Sequence, residues 1–130
     1  MSESFYKRMF LVGAIWNLLG GVLVLVLTGW IFASTNLTPP YPPAYYQSWI
    51  ALFMTFGIGY YMAFRDPYGN KNIVILGMIG KLAFAAIFIR SMIVFPGQIP
   101  MYFLIAVIGD VIFAVLFGMF LNFAKKTGNR

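Results

Sequence analysis

The chain has 130 residues and a formal net charge of +6, with 62% hydrophobic and only 9% charged residues. A soluble domain carries about 25% charged residues and a disordered one needs low hydrophobicity with high charge, so both classes are excluded and an integral membrane protein remains. The absence of Cys and His removes disulfides, thiol relays, His- or Cys-based zinc sites, iron–sulfur clusters, His-ligated haem and Ser–His nucleophiles. No metal, cofactor or catalytic residue is therefore expected, and the chain does not read as an enzyme.

Four apolar runs follow in chain order, each near the roughly 20 residues that a helix needs to cross about 30 Å of hydrocarbon. The first covers 9–33. Lys7 and Arg8 precede it, but it is too long for a signal-peptide core and no small-residue cleavage site ends it, so it reads as a retained span. The loop that follows holds Pro39, Pro40, Pro42 and Pro43 and is expected as extended polyproline II. The same loop contains Asn36-Leu37-Thr38, a match to the glycosylation acceptor pattern that chance produces often. The second run covers 47–64 and ends at the polar turn Arg65-Asp66-Pro67-Tyr68-Gly69-Asn70. The third covers 73–95 and closes at Pro96-Gly97, and the fourth covers 101–123 behind Pro100. The runs are continuous rather than alternating, which predicts helices rather than a barrel. The expected fold is all-α: one integral-membrane four-helix bundle over residues 1–130, with short loops.

Charge placement orients it. Lys7, Arg8, Arg65, Lys71, Lys125, Lys126 and Arg130 all fall at the chain ends or in the second loop, and the first and third loops carry no Lys or Arg. The positive-inside rule then places both termini and the second loop in the cytoplasm, most simply across a bacterial inner (plasma) membrane. This accounts for the basic balance without nucleic acid. Trp30, Tyr41, Tyr45, Tyr46, Trp49 and Tyr102 are expected at the outer interface, and Tyr6, Tyr60, Tyr61 and Tyr68 at the inner one.

Ionisable residues inside a membrane mark function by default, and two lie deep in the spans. Lys81 is about 14 Å along from Asn72 at the inner surface, and Asp110 about 15 Å from Pro100 at the outer one, at 1.5 Å per residue. The tight turn between them makes their helices antiparallel neighbours, which predicts a Lys81–Asp110 ion pair. Asn17 and Thr55 lie at matching depth, and Gly13, Gly59 and Gly77 each stand four residues from one of these polar positions. The expected polar centre is Asn17, Thr55, Lys81 and Asp110, walled by Trp16, Phe84 and Phe113. Arg90, nine residues beyond Lys81, falls on the opposite helix face near the outer end, where it either snorkels or meets a partner.

A membrane-embedded acid in the first span, as in small multidrug-resistance transporters, is missing here. The charge bias departs from the dual-topology fluoride channels, and the lack of Cys departs from vitamin K epoxide reductase-like proteins. With its basic start and glycine-punctuated helices (Gly13, Gly20, Gly21), the chain resembles the DoxX-like small four-helix membrane proteins. That resemblance covers architecture only. It implies a small membrane bundle, in some members a subunit of a larger membrane enzyme.

Three functions are consistent with these residues. The first is a non-catalytic accessory subunit that packs against other membrane proteins within the lipid bilayer. The second is a binding protein or carrier for a small amphipathic ligand (a lipid, isoprenoid or quinone) held at the Lys81–Asp110 centre. The third is a proton- or ion-coupled small transporter, as a homo-oligomer, with Asp110 titrating.

Overall fold

A computed structural model describes residues 2–127; Arg130, one of the basic residues expected on the cytoplasmic side, lies outside them. Among the described residues the chain forms five helices and no strand. Their contacts cluster into two compact units that meet in sequence at Arg65 and Asp66. Each unit is a helical hairpin.

The first hairpin begins with α1, Glu3–Val26. It starts before the apolar run because polar residues build its first turn. Ser2 Oγ accepts from the Phe5 N–H at 3.3 Å, and Glu3 lies 3.3 Å from Lys7 Nζ one turn on, an N-cap and an i,i+4 pair that hydropathy cannot see. The expected unbroken span over 9–33 is in fact two helices. Thr28 Oγ1 donates back to the Val24 carbonyl at 2.7 Å and the Leu25 carbonyl at 3.0 Å, a bond pattern that bends helices. The chain leaves helical geometry at Leu27 and resumes as α2, Thr28–Ser34.

A Schellman motif ends α2. The Leu37 N–H donates to the Phe32 carbonyl and the Asn36 N–H to the Ala33 carbonyl, both at 3.2 Å, while Asn36 takes the left-handed conformation at φ 54°. Asparagine is the usual alternative to glycine there. That role accounts for Asn36 without any modification. Residues 37–43 form neither helix nor strand, as four prolines dictate. α3, Ala44–Arg65, then returns antiparallel to α1.

The second hairpin opens with a turn in which Asp66 Oδ1 accepts from the Gly69 N–H at 2.9 Å and Asn70 Nδ2 donates to the Asp66 carbonyl at 2.8 Å. α4 runs Lys71–Val94 and α5 Phe103–Lys126. Between them the Gln98 N–H donates to the Phe95 carbonyl at 3.2 Å. Pro96 and Gly97 hold the two central positions, and Gly97 sits at φ 79°, which is the residue pattern of a type II turn. α5 starts two residues later than the apolar run because Pro100, Met101 and Tyr102 are spent on i→i+3 bonds to Phe103, Leu104 and Ile105.

Three helices, α1, α4 and α5, are long and apolar enough to cross a membrane. α3 has 22 residues, long enough at about 1.5 Å each. It is less apolar because Tyr45, Tyr46, Gln47, Trp49, Tyr60 and Tyr61 carry polar groups. Large apolar side chains are exposed on all four long helices, the distribution suited to lipid rather than water. The expected inner aromatic belt needs correction at two positions. Tyr6 and Tyr60 are 3% and 1% exposed, because they share the inward stripes of α1 (Phe10, Ala14) and α3 (Ile50, Ala63) rather than facing the interface.

Candidate functional site

In the second hairpin, α4 buries Val74, Gly77, Lys81 and Ala85, and α5 buries Val107, Asp110, Phe113, Ala114, Phe117, Phe120 and Ala124. Spacings of three and four residues put each set on one helix face. Lys81 and Asp110 belong to these faces, so helix packing carries both charges inward. Their residual exposure is 4% each. Lys81 Nζ donates to Asp110 Oδ1 at 2.6 Å, a short charge-assisted hydrogen bond. The Phe113 ring, one turn beyond Asp110, has its centroid 5.2 Å from the ammonium, within cation–π range.

Aromatic contacts hold this register from both ends. Phe88 and Phe103 approach to 5.5 Å between centroids near the turn, and Tyr68 and Phe120 to 6.0 Å at the far end. Phe84, expected as a wall of the polar centre, stands one turn beyond Lys81 on α4 and packs tilted against Phe88, with 4.5 Å between ring centroids.

Asn17 is 2% exposed and lies in the first hairpin. Its Nδ2 donates to the Phe53 main-chain carbonyl at 3.0 Å. That carbonyl is the helical acceptor for residue 57, and residue 57 is glycine. A Cβ placed on Gly57 would sit 2.9 Å from Leu18 Cγ and 3.1 Å from Asn17 Cβ. The missing side chain at Gly57 therefore clears the path by which Asn17 reaches the backbone of α3. Sequence reading missed both Phe53 and Gly57. A glycine four residues after the acceptor is the one signal that was available.

Thr55 does not belong to a buried centre. It is exposed, and its hydroxyl donates to the Ala51 carbonyl of its own helix at 2.8 Å, which satisfies the group locally. Trp16 is half-buried on α1. Lys81 and Asp110 thus pair within the second hairpin, and Asn17 makes its side chain–backbone bond within the first. Among the described residues no buried side-chain nitrogen or oxygen lacks a hydrogen-bond partner, and no group of acidic residues is arranged to hold a metal.

No protein-family model, curated protein or solved structure matches the chain. Its chemistry rests on its own geometry.

Proposed function

We propose that the chain is a four-span membrane protein with both termini and the 66–70 turn on the cytoplasmic side, and that it acts as a non-catalytic accessory subunit of a larger membrane assembly. The observation that carries this reading is the direct 2.6 Å closure of Lys81 on Asp110. A buried pair closed at this distance neutralises both charges and fixes the register of neighbouring helices, the arrangement of a structural clamp.

Two further features support it. α3 is long enough to serve as the fourth span, and Lys125 and Lys126 stand at the same end of the second hairpin as Lys71, in keeping with the positive-inside rule. The exposed apolar surface of the long helices offers area to neighbouring proteins as well as to lipid.

Native mass spectrometry of a mild-detergent extract tests the reading. Additional protein chains at fixed stoichiometry are the expected result. A lone monomer or homo-oligomer overturns it. A lone chain with a small amphipathic adduct that disappears in both Lys81→Met and Asp110→Asn would assign the function to ligand binding at the pair instead.

A further inference from the structure

We infer that Arg90 is a binding site for the phosphodiester of an anionic phospholipid, in the leaflet on the side of the Phe95–Gln98 turn. The inference needs only that α4 crosses the membrane and is independent of the accessory-subunit reading. α4 carries two intramembrane cations on different faces. Lys81 is turned inward and neutralised by Asp110. Arg90, nine residues on, is exposed and makes no ion pair or hydrogen bond among the described residues.

The chain cannot supply the missing anion. It has three acidic residues, and each is engaged by another partner. Glu3 pairs with Lys7, Asp66 caps the turn before α4, and Asp110 holds Lys81. With these acids engaged, the inference assigns the counter-charge to a molecule of the membrane itself.

Depth identifies it. Lys81 stands near the middle of α4, and nine residues place Arg90 about 13 Å further along the axis, just inside the edge of a hydrocarbon layer with a half-thickness of about 15 Å. A guanidinium on a long stem extends outward from there and arrives among the lipid phosphates. Its planar fork matches two phosphate oxygens at once, which an ammonium cannot do. Lipids such as phosphatidylcholine carry their own cation next to the phosphate. Phosphatidylglycerol does not, so its phosphate is the better partner for Arg90.

The test is native mass spectrometry of the full chain released from bilayers of equal phosphatidylglycerol and phosphatidylcholine. The wild type is expected to retain phosphatidylglycerol preferentially. R90Q should lose that retention roughly tenfold, the scale of one charge-assisted hydrogen-bonded contact, and R90K should keep part of it. The double variant K125Q/K126Q removes basic charge at the opposite end of the hairpin and should leave the Arg90-dependent adduct in place. Equal retention of both lipids, or retention unchanged in R90Q, overturns the proposal. So does an Arg90-dependent homo-oligomer without retained lipid, which would make the anion a carboxylate of a second copy. Because Arg90 is exposed, R90Q should match the wild type in thermal stability, and that measurement separates lost binding from lost fold.

Discussion

Lys81 and Asp110 are 29 residues apart in sequence and 2.6 Å apart in space, so one charge-assisted bond ties the interior of α4 to that of α5. Neither residue can be exchanged without stranding the other. Lys81→Met is expected to leave a buried, unpaired carboxylate and to destabilise the protein by about 3–5 kcal/mol. Replacing both residues, Lys81→Met with Asp110→Leu, should restore most of the lost stability, because an apolar pair leaves no charge stranded in a buried site. Thermal unfolding in a fixed detergent reads both outcomes. A double variant as unstable as the single one would mean that the pair does more than clamp the helices.

The bond from Asn17 to the Phe53 carbonyl depends on Gly57, and the two residues should behave as a coupled pair. Asn17→Ala removes one interhelical hydrogen bond, worth about 0.6–2 kcal/mol in membrane proteins. Gly57→Ala pushes a methyl group against Leu18 and Asn17, and overpacking of this kind costs about 1–3 kcal/mol. The double variant should lose less than the sum of the two singles, since truncating Asn17 makes part of the room that the new methyl needs. Thr55→Val, by contrast, should stay within about 0.5 kcal/mol of the wild type, as exposed substitutions do.

These two contacts also show how far the sequence could be read. The Lys81–Asp110 pair was legible because a tight turn converts residue counts into axial depth, and depth was enough to match a lysine to an aspartate across a hairpin. Thr55 shows the limit of the same method. It has the right depth, but depth says nothing of which way a residue faces. Five residues before the buried Tyr60, it points about 140° away from it at 100° per residue. The partner of Asn17 was hidden for a different reason. It is a main-chain carbonyl, which every residue carries, so only the space left by Gly57 marks it. Helix ends departed from the apolar runs wherever polar groups close a turn, as Ser2 does for α1 and Thr28 does at the break before α2.

Two left-handed positions should both favour glycine. Gly97, at φ 79°, should resist Gly97→Ala, with a cost of about 1–2 kcal/mol from the Cβ in that conformation. Asn36, at φ 54°, should accept Asn36→Gly with little change, whereas Asn36→Val should be destabilising because a β-branched residue rarely adopts that region. Unfolding curves of the three variants measured side by side provide the comparison. If Asn36→Gly were the most damaging of them, the side chain would be acting in some way other than capping α2.

The proposed topology makes its own prediction, for which this chain is well suited. It contains no Cys, so each cysteine introduced reports without background. Gln98 lies in the turn between α4 and α5, and Thr38 in the proline-rich segment after α2; both are exposed. Ser4, in the first turn of α1, and Asn72, in the first turn of α4, are exposed at the opposite helix ends. With both termini in the cytoplasm, Gln98→Cys and Thr38→Cys should react with a membrane-impermeant maleimide in intact cells, and Ser4→Cys and Asn72→Cys only after the membrane is opened. The Thr38 result bears most directly on α3. If Thr38→Cys and Asn72→Cys react from the same side, α3 does not cross the bilayer and the number of spans falls to three.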